Sequence, residues 1–180
     1  KVVGYSRAVG GTRVKNEFPE MASILGLPSS GLLSNVSDLG KFMSWHFRTL
    51  EGRDETILPA SALSKMQTVQ WVPLPVPLHS TFASVLAYFS ELMEIGGTGL
   101  GYFLDGEFVM HGGGLMGFAS ELVMDSHKMV GVAVLSNTVD APVRFSQPRS
   151  ISKNLYDMLV EVVIDGNNTN ASDNLSEYEA

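Results

Sequence analysis

The run His111-Gly112-Gly113-Gly114-Leu115-Met116-Gly117-Phe118 joins one ionisable side chain to a string of glycines where strand-like segments meet. Glu107 to Met110 leads into it, Ser120 to Met124 leads out, and Met129 to Asn137 returns after a turn at Asp125-Ser126-His127-Lys128. An ionisable residue followed by glycines along a sheet edge lets backbone amides approach a substrate with no side chain in the way. Those amides can polarise a substrate oxygen.

Two simpler readings of the glycines fail on context. Gly112-x-Gly114-x-x-Gly117 matches a dinucleotide fingerprint, but strand and turn follow it rather than a helix whose N-terminus could face a pyrophosphate. A His-Gly-Gly-Gly oxyanion loop of an α/β-hydrolase esterase requires a Gly-x-Ser-x-Gly elbow further on, and the chain has none. The bland alternative is a strand end and a wide bend. The remaining candidates are weaker. His46 falls on the apolar side of a helical pattern and reads as a core or boundary histidine. His79 and His127 lie in a loop and a turn with no second ligand at metal spacing, so no metal site is expected. Asp105 belongs to a hairpin turn. Trp45, Trp71 and Phe118 are core or pocket aromatics, and Trp71 and Phe118 are candidates for lining a substrate pocket.

The elements that must hold this edge are legible in outline. A strand is predicted at Val2 to Arg7. A helix starts from a cap at Ser34 or Ser37, repeats apolar residues from Leu39 to Leu50 and stops at Gly52. A short helix runs from Pro59, in its first position, to Met66. The segment from Trp71 to Leu78 has three prolines and reads as extended surface chain; Thr81 to Ile95 reads as a helix or lid. Asp105-Gly106 should turn strand Tyr102–Leu104 antiparallel onto Glu107–Met110. A last helix from about Pro148 to Ile164 carries one apolar face, and the polar residues 166–180 read as a disordered tail or a linker.

The chain has 180 residues, 44% of them hydrophobic, enough for one sizeable core. Net charge is -7 with Lys and Arg scattered singly, which leaves no footprint for nucleic acid. No apolar run reaches the ~20 residues of a membrane span. Cysteine is absent, which removes disulfides, thiolate catalysis and cysteine-bound zinc together; no cofactor is implied.

Four pieces in order carry a family resemblance: Ser30-Gly31-Leu32-Leu33-Ser34 running into Asp38-Leu39-x-x-Phe42; Gly99-Leu100-Gly101-Tyr102; His111-x-Gly113-x-x-Gly117-Phe118; and Val134-Leu135-Ser136-Asn137. Over residues 2 to 164 the chain resembles the C-terminal part of the serine β-lactamase-like family, the class C relatives that include penicillin-binding-protein-like esterases and D-aminopeptidases. The resemblance implies an α+β fold, an antiparallel sheet flanked by helices of β-lactamase/transpeptidase type, here as an incomplete domain over residues 1–165. It implies that the His-x-Gly strand stands where relatives carry Lys-Thr-Gly. His111 would then position or polarise the substrate and a catalytic tyrosine, and the Gly114 amide would supply half of an oxyanion hole. Gly112, Gly113, Phe118 and Trp71 would contact substrate, a lactam, an ester or a D-amino-acid peptide.

The departures from the family are as informative. Its Ser-x-x-Lys and Tyr-x-Asn elements precede the His-Gly strand, and residues 1 to 110 contain neither: Lys15, Lys41 and Lys65 are preceded three residues back by Thr12, Asp38 and Ala62. Ser150-Ile151-Ser152-Lys153 and Ser172-Asp173-Asn174 mimic family motifs on the wrong side of that strand. The expectation is a chain silent on its own, its nucleophile carried by an N-terminal segment or another chain; a non-catalytic remnant or binding module is the alternative. Sequons at Asn35, Asn167, Asn170 and Asn174 permit a secretory route without fixing a compartment.

Overall fold

The computed structural model describes residues 3–7, 12–16, 32–72, 96–115, 117–139 and 146–164. The expected helix or lid at Thr81 to Ile95, the tail 166–180 and its three sequons lie outside them.

Five strands form the main sheet in the order β3 (Gly97–Thr98), β4 (Phe103–Asp105), β5 (Phe108–Leu115), β6 (Phe118–Asp125), β7 (Val130–Ser136), every neighbouring pair antiparallel. A second sheet joins β1 (Gly4–Arg7), β2 (Arg13–Asn16) and β8 (Thr138–Val139). Here β1 pairs antiparallel with β2 and parallel with β8, an exception to the antiparallel expectation. Strand β2 carries no apolar alternation, so its sequence does not announce it; its register against β1 does. The first hairpin differs by one residue from the sequence reading: β4 includes Asp105, and Gly106 and Glu107 make the turn.

Helix α1 (Val36–Leu50) is capped by Asn35 rather than by Ser34 or Ser37. Asn35 has extended backbone, and its Oδ1 accepts the amide of Asp38 at 3.0 Å, the geometry an N-cap requires. Gly52, at φ 71, follows the helix end as expected. Helix α2 (Ala60–Met66) places Pro59 at the cap, one position earlier than expected, while Glu55 Oε1 accepts the Ala60 amide at 2.7 Å. Helix α3 (Ser146–Leu159) continues into a π-helical turn, Val160–Ile164.

Period-2 alternation divides the sheet between these helices. Leu122 and Met124 of β6 join Leu104, Val109 and Met43 of α1 in one buried cluster, with Phe47 packed against it. On the other face Tyr156 of α3 stacks edge-on against Phe108 of β5 at 4.9 Å and is 4% exposed. Strand β6 is thus buried on both sides.

A polar clasp locks α3 to the β6–β7 turn. Asp125 is buried and accepts the Tyr156 hydroxyl together with the amides of His127 and Lys128 at 2.8 and 3.0 Å. Lys128 Nζ donates to the Tyr156 oxygen at 3.1 Å and sits 3.5 Å from the carboxylate. Burial pushes the Asp125 carboxyl up; the three hydrogen bonds and the Lys128 charge outweigh it and hold the group below the usual carboxylate range. The aromatic side of α1 holds a different polar group. His46 is fully buried among Phe42, Phe47 and Tyr102, and burial pushes its pKa down to about 4.

Candidate active site

Among the described residues, the sheet leaves β5 half-paired. Strand β4 covers β5 only at Phe108 to Met110, the last pair being Phe103 with Met110. Strand β6 covers β5 along its whole length, from Phe108 with Asp125 to Leu115 with Phe118. From His111 onward, then, no described strand lies on the β4 side of β5.

Both hairpins fix which backbone groups point that way. A two-residue turn is closed by a hydrogen-bonded pair, and bonding alternates along an antiparallel ladder. Closure at Asp105 and Phe108 directs the polar groups of Phe108 and Met110 toward β4. Closure at Leu115 and Phe118 directs those of Leu115, Gly113 and His111 toward β6. The two hairpins agree, and Gly112 and Gly114 therefore aim their amides and carbonyls off the uncovered edge. The glycine run is strand throughout, not a strand end followed by a bend.

The glycines also make room behind this edge. A Cβ on Gly112 would stand 2.5 Å from Glu121 Oε2, and one on Gly113 2.8 Å from Ser120 Oγ. Glu121, 8% exposed, thus lies directly over Gly112 on the α3 face; Ser120 lies over Gly113 on the opposite face and its hydroxyl donates to the Gly113 carbonyl at 3.4 Å. Neither neighbour was legible in the sequence, because charge and hydroxyl alone suggest exposure; the register is the signal. The far end of β5–β6 is tied down by the Tyr5 amide, which donates to the carbonyls of Gly117 and Asn137 at 3.3 and 2.8 Å.

His111 is exposed at the start of the uncovered stretch. Its ring stacks on Phe103 at 5.3 Å and 21°, and neither ring nitrogen is hydrogen-bonded among the described residues. Phe103 was not among the residues the sequence singled out; the ring contact itself, not its pairing with Met110, brings it to His111. The structure brings His111, Gly112, Gly113 and Gly114 together. Phe118 is half-buried on β6 opposite Leu115, at the hairpin end. Trp71 is 57% exposed and bridges Thr98, so that β3 and β4 separate it from β5.

Of the mimic motifs, Ser150 and Lys153 are exposed on α3, which rests on β6 and β7 rather than on the open edge. Ser172 to Asn174 lie outside the described residues. Among the described residues no group of His, Cys, Asp or Glu is arranged to hold a metal ion, and no helix is long and apolar enough to cross a membrane.

A family model described as Beta-lactamase matches residues 3–153. The chain belongs to the beta-lactamase family. Membership gives it a serine-hydrolase lineage and agrees with the mixed helix and antiparallel-sheet architecture. Among solved structures, the octameric penicillin-binding protein homologue from Pyrococcus abyssi is similar in fold, with a TM-score of 0.60 at 24% identity. The match covers 89% of this chain and 30% of that one, so the chain spans under a third of the homologue's length. No curated protein matches it.

Proposed function

We propose that this chain supplies the edge-strand wall of a serine hydrolase site that cleaves ester or amide bonds through an acyl-enzyme. The observation that carries the reading is the uncovered stretch of β5, where the hairpin registers aim the Gly112 and Gly114 amides outward next to an imidazole with both nitrogens free of described partners. In the reaction, a serine attacks the substrate carbonyl, the oxygen takes up negative charge, and the Gly114 amide donates to it beside the nucleophile's own amide. His111 positions or polarises the substrate and the tyrosine that handles protons. Loss of one such donor typically costs about 10²–10³ in rate. Phe118 and Trp71 are assigned to the substrate's apolar portions, Trp71 as the more distant wall.

The serine, its lysine partner and the tyrosine come from an N-terminal segment or a second chain in this reading, since no Ser-x-x-Lys precedes His111. Treating the 180-residue chain with a fluorescent penicillin and a fluorophosphonate should give no covalent label. Label traced to a serine within residues 1–180 would refute the assignment. An in-frame Ser-x-x-Lys and Tyr-x-Asn in the coding sequence upstream of Lys1 supports the hydrolase; their absence there supports a binding module built on the same scaffold.

A further inference from the structure

His46 is the one buried imidazole among the described residues, the hydrolase reading leaves it unused, and it sits at a junction. Its Nε2 lies 2.9 Å from Gln67 Nε2, the residue that ends α2, and Ser126 Oγ of the β6–β7 turn lies 3.3 Å from Gln67 Oε1. The amide nitrogen can only donate, so the His46 Nε2 must accept and its proton resides on Nδ1. That Nδ1 is buried with no hydrogen-bond partner. One neutral imidazole thus completes a relay, Ser126 to Gln67 to His46, that ties the β6–β7 turn, α2 and α1 together.

Beyond Gln67 the chain is held to the β3 edge through Thr98, whose amide donates to the Trp71 carbonyl at 2.8 Å. Thr68, Val69, Gln70 and Trp71 are exposed, and the amides of Gln70 and Trp71 both donate to the Thr98 carbonyl, at 2.8 and 3.2 Å. Helix α1, in contrast, is anchored in the core by Met43 and Phe47. We propose that His46 is a proton-operated latch: neutral, it holds the segment from Gln67 to Trp71 on the β3 edge, and protonated, it releases that segment.

A proton on Nε2 turns the acceptor into a donor facing the Gln67 NH2, and leaves a buried imidazolium whose second N–H has no acceptor. Rotating the Gln67 amide would restore one bond, but the charge would still be surrounded by Phe42, Trp45, Phe47 and the Tyr102 phenol. Burial of a charge without a counter-ion is costly, and the least anchored neighbour gives way to let water in. Among the described residues no carboxylate is paired with it. Arg48 of α1 pairs with Asp54, and Asp38 with Lys41; α2 contributes exposed Lys65; in the β6–β7 turn Asp125 is engaged by Tyr156 and Lys128, and His127 is exposed. Burial of His46, which places its protonation near pH 4, supports the same direction. Opening of the segment should rise about tenfold per pH unit between roughly pH 6 and 4.5, because the exposed ring binds a proton that the latched ring refuses.

The test is amide hydrogen exchange on the 180-residue chain from pH 7.5 to 4.5, corrected for intrinsic rates, beside an NMR titration of the histidine rings. The latch requires protection at Trp71 and Thr98 to fall about tenfold per unit between roughly pH 6 and 4.5 while β5–β6 amides stay protected, and the His46 ring of the latched chain to titrate below that range. In His46→Gln, which keeps a polar side chain and cannot protonate there, protection at Trp71 should become flat with pH; His127→Gln should leave the wild-type profile intact. Flat wild-type protection, a loss that follows His127, or a His46 ring that titrates at its ordinary value in the latched chain overturns the proposal, the last without any variant having to fold.

Discussion

Replacing Tyr156 by Phe is the sharpest probe of how α3 is held. The substitution removes one oxygen, while the ring keeps its edge-on contact with Phe108 and its place in the core. What is lost is the hydroxyl that donates to the buried Asp125 carboxylate and accepts from Lys128 at 3.1 Å. A hydrogen bond to a charged group contributes about 1.5–3 kcal/mol, and Asp125 has 1% exposure, so water cannot replace the donor cheaply. At 1.4 kcal/mol per tenfold, local opening of the β6–β7 turn should become about 10- to 150-fold more frequent at pH 7. Native-state exchange of the amides from His127 to Val132 reads this directly. The effect has a signed pH dependence. Asp125 is held below its unfolded range, so its contribution is full above about pH 4 and is lost as pH falls through its depressed folded value. The difference between wild type and Tyr156→Phe should therefore shrink below pH 4. A difference under about threefold at pH 7, or one that grows in acid, would refute the clasp.

Three further outcomes follow from named contacts. Gly99→Ala puts a Cβ onto the Met66 carbonyl, a backbone group that cannot swing aside; Gly112→Ala meets only the end of the Glu121 side chain. Thermal denaturation should rank Gly99→Ala the more destabilising, by about 1–3 kcal/mol. Asn35→Ala removes the acceptor for the Asp38 amide and should cost about 1 kcal/mol in urea denaturation, with Asn35→Asp nearer wild type. In a complete acyl-enzyme assembly containing this chain, Gly114→Pro, which deletes the amide donor, should lower kcat by about 10²–10³ with little change in KM.

The elements most legible in the sequence were those whose burial is periodic. The spacing of Leu39, Met43, His46 and Phe47 gives α1 its sheet-facing side, and the same pattern placed His46 in the core. The cap was misassigned because two serines and an asparagine compete over four residues, and only backbone geometry selects Asn35. Strands β2 and β8 escaped notice since Arg13-Val14-Lys15-Asn16 and Thr138-Val139 have no apolar stripe; partners distant in sequence define them. For the proposed site, the glycine run was what the sequence offered. The outward direction of Gly112 and Gly114 needed both hairpin registers, Glu121 emerged from its pairing with Gly112, and Phe103 from a ring contact no local pattern encodes.

The parallel pairing of β1 with β8 has a consequence for how the molecule assembles. Tyr5 sits opposite Thr138, and the Asn137 side chain reaches the Val3 carbonyl at 3.2 Å, so contacts at the beginning of the chain wait on residues more than 130 positions away. The hairpins of the main sheet close loops of a few residues and can form early, whereas this closure carries an entropy cost that grows with the logarithm of loop length, about 4 kcal/mol of (3/2)RT ln n. The β1–β2 hairpin is thus the late-arriving piece. It is also the piece that fastens the Gly117 end of the open edge, so the proposed wall is completed by a contact between distant parts of the chain rather than by the strands that compose it.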